Sequence, residues 1–198
     1  VCAGAVSQQV TGYGFAIVSA PVFALIIGAH DGVRLVNMLG VVIAGVTLTM
    51  LHRDVVWRDV ARLLGPAVVC LIPTAIVVRR LDNRVLLILA GSLVLMAAVS
   101  TAVGLQIPRL RGTVGTMIAG GTSGAMNVIG GVSGPTVAIY AVNAGWQPAH
   151  FRGTVQAYFL ALNLVSIAAL GPASPPRLLW PAFALAIASG VVIGRRVA

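Results

Sequence analysis

The 198-residue chain has no lysine and no glutamate. Its charge is carried by 13 arginines and 4 aspartates, a net +9, and charged residues make up 9% of the chain against 59% hydrophobic. A water-soluble domain carries about 25% charged residues, and a chain with a mean hydropathy of +1.01 has too few polar side chains to cover its own surface. Disordered, collagenous and ordinary globular classes are excluded, and the composition is that of an integral membrane protein. The arginines stand singly or in pairs between apolar runs. That scatter suits loop ends meeting lipid headgroups and, with no basic patch, excludes nucleic acid as a partner. Cysteine is nearly missing too. Cys2 and Cys70 both lie inside apolar runs, which argues against a disulfide or metal role.

Catalytic chemistry is equally scarce. The acids Asp31, Asp54, Asp59 and Asp82 are expected in loops, and His30, His52 and His150 at the edges of spans. No carboxylate pair, histidine cluster or Ser/His/Asp set can then be assembled at membrane depth, so neither an enzyme nor a metal or cofactor site is expected. The chain opens Val-Cys-Ala without methionine or a basic segment. Its first apolar stretch therefore does not read as a signal peptide, and the start reads as trimmed.

What is there is a series of charge-free intervals: 1–29, 35–51, 63–78, 85–108, 112–149, 153–176 and 178–194. About 20 apolar residues cross the hydrocarbon core as a helix, so five of these suit one helix each. The runs 1–29 and 112–149 are too long. Both contain glycine-rich interruptions, Thr11-Gly12-Tyr13-Gly14 and Gly130-Gly131-Val132-Ser133-Gly134-Pro135, which predict broken helices or a re-entrant hairpin. Arginine counts on alternate loops do not fix an orientation.

The chain also matches itself at an offset of 115 residues. Arg62-Leu63-Leu64-Gly65-Pro66-Ala67 lies over Arg177-Leu178-Leu179-Trp180-Pro181-Ala182, and further on Ile72 meets Ile187, Val77 meets Val192 and Arg80 meets Arg195. Pro21 matches Pro135 at an offset of 114, and Arg34 pairs loosely with Arg152. A duplicated unit is expected, as in many secondary transporters. The first repeat covers residues 1–111 and the second 112–198. The second is expected to lack its last helix, with one more following Ala198.

Several residues then stand out. The Gly130–Pro135 segment follows Gly120-Gly121-Thr122-Ser123-Gly124 and Asn127. These glycines either let helices pack closely or break a helix so that exposed N–H groups and a positive dipole end face an anion. The second reading is favoured because the break recurs at Gly12, Gly14 and Pro21. Gly131 and Gly134 permit the bend, Ser133 adds a hydroxyl and Pro135 suits a first helical turn. Arg152 either snorkels to the headgroups or, with Arg34, draws an anion in. Gln156 and Asn163, seven apart, share a helical face and either bond between helices or line a cavity, with Tyr158 to the side. Gln8 and Gln9 are open in the same way.

At these motifs the chain resembles the TauE/SafE family of sulfite and organosulfonate exporters. The residues concerned are Gly12-Tyr13-Gly14-Phe15 with Pro21, then Gly131-Val132-Ser133-Gly134-Pro135, Phe151-Arg152-Gly153-Thr154 and Tyr158 through Leu164. The resemblance implies about eight membrane segments and transport of small sulfur-containing or carboxylate anions, without fixing the substrate.

The expectation is an all-α, polytopic membrane protein of about seven to eight segments, built from two repeats whose first helices are broken. Its partners are a small anionic solute and the lipid bilayer, self-association is left open, and its place is a bacterial inner membrane. The candidate substrate-binding residues are Gly12, Gly14, Pro21, Asn127, Gly130, Gly131, Ser133, Gly134, Pro135, Arg152, Gln156 and Asn163. The rival is a non-transporting scaffold or assembly subunit in which the glycines only pack helices.

Overall fold

Every apolar run forms helix, because a backbone in lipid must satisfy its own hydrogen bonds. The computed structural model describes residues 1–104, 107, 111–176 and 178–197, and among them no strand occurs. In chain order the helices are α1 (Cys2–Thr11), α2 (Gly14–Ile27), α3 (Ala29–Leu51), α4 (Trp57–Val78), α5 (Asn83–Ala102), α6 (Gly112–Gly130), α7 (Gly134–Asn143), α8 (Pro148–Leu170) and α9 (Leu179–Val197). Five of them, α3, α4, α5, α8 and α9, are long and apolar enough to cross a membrane. The two overlong runs are each cut into shorter helices, α1 with α2 and α6 with α7.

The cuts fall at glycines for a conformational reason. Gly12 has φ +86° and Gly131 has φ +70°, a left-handed backbone that side chains disfavour. Each closes its helix in the same way. The N–H of Gly12 donates to Gln8 O and that of Gly131 to Asn127 O, both at 2.8 Å, satisfying one of the last carbonyls. The prolines differ from expectation. Pro135 is the second residue of α7, whereas Pro21 lies midway along α2, so the two breaks correspond through Gly12 and Gly131 and not through the prolines.

Charge does not stop the helices where the intervals ended. Asp31 and Asp59 lie in the first turns of α3 and α4, not in loops, where an acid meets the positive end of the helix dipole. α8 likewise starts at Pro148, ahead of Arg152. The Arg177 end of the internal match, together with Pro108, Arg109 and Leu110, lies outside the described residues.

Packing uses small residues, since lipid tails give helices no hydrophobic reason to associate. Along α6, a Cβ on Gly120 or Gly124 would strike the carbonyl oxygens of Leu63 and Ala67, and one on Gly121 would stand 3.0 Å from Cys70 Sγ. That face is the seam with α4. On α9, Gly190 and Gly194 receive α1, with Cys2 O and Gln9 Cβ at 2.7 and 2.6 Å from the missing methyls. α3 and α8 lie antiparallel. Gly153 meets Asp54, Gly45 meets Leu160 and Gly40 meets Asn163, and the N–H of Val56 donates to Thr154 Oγ1 at 3.1 Å. Outward-facing Leu25, Val69, Ile88 and Leu185 are exposed. Such apolar surface suits acyl chains and would be a liability in water.

Candidate functional site

The two helix breaks meet. A Cβ on Gly134 would stand 2.6 Å from both Cβ and Cδ2 of Tyr13, so Tyr13 in the first break packs against the start of α7. Tyr13 is also packed edge-on to Phe151, ring centres 6.1 Å apart. Beside this contact is a small cavity of about 30 Å³, enough for about one water. Its walls come from α1, the α1–α2 break, α2, α3, the α6–α7 break, α7 and α8, among them Gln8, Gly40, Gly131, Ser133, Gly134 and Asn163. On the other side of Tyr13 lies a recess of about 280 Å³, bordered by Ser7, Thr11, Gly14 and Ala98.

The N-termini of α2 and α7 border the cavity, and neither is capped by the side chain of its own N-cap residue. The positive dipole ends of both helices therefore lie beside the space. At α2, Phe15 N–H is met by Gln8 Oε1 at 3.1 Å. At α7, the Ser133 carbonyl accepts from Ser123 Oγ at 2.9 Å, and Ser123 in turn accepts from Tyr158 OH at 2.8 Å. This chain fixes the bend from behind and leaves the Ser133 hydroxyl to the cavity that it lines.

Buried amides hold the first break. Gln156 accepts from Gln8 Nε2 at 3.0 Å and donates to Gly12 O at 2.8 Å. Arg152 donates to Gln9 O at 3.1 Å, and Gln9 Nε2 donates to Thr47 Oγ1 at 2.7 Å. Arg152 thus caps the carbonyl end of α1, a cation at a negative dipole end, and is not among the residues that line the cavity. Asn163, seven residues from Gln156 on the same face, lines the cavity and accepts from Asn127 Nδ2 at 3.1 Å.

The sequence candidates therefore divide. Gly131, Ser133, Gly134 and Asn163 line the cavity, and Gly12, Asn127, Arg152 and Gln156 hold its walls. Gly14 borders the recess behind Tyr13. Pro135 is buried in the first turn of α7. Pro21 and Gly130 lie elsewhere, lining an apolar groove of about 170 Å³ against Leu87 and Val94. Arg34 pairs with Asp31 at 3.3 Å near the start of α3 and does not line the cavity. Tyr13, Gly40 and the Ser123–Tyr158 link are part of the site although none of these residues was among the candidate binding residues. Tyr13 could have been found as the aromatic residue inside the first glycine motif, whereas Gly40 stands alone in an apolar run and gives no signal.

Helices broken on left-handed glycines, with their N-termini beside a small cavity in a multi-pass membrane bundle, define a transporter-type protein that handles a small solute. The chain belongs to the sulfite exporter TauE/SafE family, whose model matches residues 1–198, and the family is one of membrane transporters. No curated protein and no solved structure matches the chain.

Proposed function

We propose that the protein exports a small oxyanion, such as sulfite, an organosulfonate or a related carboxylate, across a bacterial inner membrane. The observation that carries this reading is the meeting of the two breaks, Tyr13 against Gly134, beside a cavity with polar lining residues and bordered by the N-termini of α2 and α7. Backbone N–H groups and dipole ends bind anions without a buried cation. Ser133 and Asn163 add polar contacts at the same cavity. Its volume of about 30 Å³ suits a water, so the breaks part to admit a solute and close behind it.

The same reading takes the chain as two repeats of opposite direction, α1–α5 and α6–α9, in a bundle of seven to eight membrane segments. It is supported by the two left-handed glycine breaks and by two 23-residue helices, α3 and α8, that lie antiparallel. The test is flux in liposomes holding the purified protein, with labelled sulfite, a sulfonate and a carboxylate as probes. Flux of at least one anion above protein-free vesicles is expected. Absence of flux for all three would return the scaffold reading, in which the breaks merely pack.

A further inference from the structure

The break between α6 and α7 has two ends, and the anion reading uses only one. α6 stops at Gly130, so its last carbonyls have no further helical turn to bond, and the negative end of its dipole collects there. Close by are four buried side chains bearing oxygen. Asn127 and Ser166 are fully buried, Asn37 is 1% exposed and Asn163 8%. Three of them are linked, since Ser166 Oγ donates to Asn127 Oδ1 at 2.5 Å and Asn127 Nδ2 donates to Asn163 Oδ1 at 3.1 Å.

The fourth is not. Asn37 spends its amide on Val33 O at 3.0 Å, and its Oδ1 is buried with no protein partner. Its neighbours along α3 locate it. Val36 packs on Gly131, with Cγ1 3.0 Å from the missing methyl, and Gly40 faces the Asn163 amide, whose Nδ2 lies 2.5 Å from its missing methyl. Val33 shares a groove wall with Gly130. Asn37 lies between these contacts, one residue past Val36 and one turn short of Gly40. Continuing the antiparallel pairing of Gly40 with Asn163 by one turn brings it level with Ser166. A buried acceptor left unmade costs free energy, and a cation recovers that cost when amide and hydroxyl oxygens replace its water. No protein cation does this among the described residues, since Asn37 Oδ1 has no partner there. In broken-helix transporters the C-terminal half-helix ends are where sodium is held.

We propose that Asn37, Asn127, Asn163 and Ser166, with the C-terminal end of α6, bind a dehydrated monovalent cation of sodium's size, and that its occupancy is coupled to solute movement. Only the coupling rests on the transport reading; the binding does not. The test is thermal unfolding of the full chain in detergent, in sodium, potassium and choline chloride at equal ionic strength. Sodium at about ten times its Kd should raise Tm by about 3–6 °C over choline, saturating with concentration. Asn37→Ala should lose that increment. Asn37→Asp, which adds a carboxylate, should lower the sodium concentration needed for half of it. Equal Tm in all three salts would overturn the site and leave a buried water in its place. The same sodium increment in wild type and in Asn37→Ala would place any cation elsewhere and also overturn it. Anion flux indifferent to sodium, alongside a sodium-dependent Tm, would sink the coupling alone. A sodium-dependent Tm with no flux of any anion would instead fail the transport reading and leave the site standing.

Discussion

Tyr13 and Gly134 are in contact because one has no side chain. Gly134 has an ordinary helical backbone; only the space is special, with Tyr13 Cβ 2.6 Å from where a methyl would begin. A β-carbon there pushes on the root of the tyrosine and not on a flexible tip, so the two breaks must separate. Gly134→Val should therefore cut solute flux by more than tenfold while folded protein in membranes falls far less, read by liposome flux beside size-exclusion recovery. Adding Tyr13→Ala should restore part of the flux, because the colliding ring is gone. Equal loss of recovery and flux in the single variant, with no rescue in the double, would assign Gly134 to packing alone. Asn163 shows the complementary case. Its partner Gly40 is invisible in an apolar run, since an apolar stretch tolerates a single glycine without advertising what faces it.

At the scale of elements, the glycines of α6 serve two purposes that the chain does not distinguish. Gly120, Gly121 and Gly124 form the seam with α4, and Gly131 ends the helix. The packing reading holds for the seam glycines, and at Gly131 the structure shows the helix break on which the anion reading rests. The discriminating property is φ, positive at Gly131 and ordinary in the seam. Gly124→Val places a branched side chain against the Ala67 carbonyl, where backbone cannot yield as a side-chain tip can. Folded recovery should fall severalfold and Tm should drop by more than 5 °C on the basis of such overpacking costs, in contrast to Gly134→Val. Recovery unchanged from wild type would mean that α4 and α6 do not rely on this close approach. The helix starts followed a related logic. Charge-free intervals placed α3 and α4 too late because first-turn aspartates belong to helices and not to loops.

At the scale of the molecule, the antiparallel pairing of α3 and α8 makes a topological demand. If these helices are equivalent members of two repeats, their starts must lie on opposite sides of the membrane. Asp31 and Gln147 are both exposed, in the first turn of α3 and just before α8. Single cysteines at these sites, in a background without Cys2 and Cys70, should label from opposite sides with an impermeant reagent. Labelling from one side would make the repeats parallel and leave the facing breaks to some other symmetry.

The apolar composition, the missing lysine and glutamate and the spacing of the charge determined that this chain enters a bilayer as helices, because no other backbone form survives there without water. The glycine motifs also marked where two of those helices break, since a left-handed residue is legible in one dimension. Which polar groups serve the cavity was decided only in three dimensions. Gln156 and Asn163 share one face of α8, yet one is spent on the carbonyl end of α1 and the other opens to the cavity. Arg152 caps the carbonyl end of a helix, Pro21 faces an apolar groove, and Asn37 keeps an unpartnered oxygen. A residue's helical face follows from its number, but its partner follows from the crossing of helices distant in the chain, and that crossing is set by packing that no local pattern encodes.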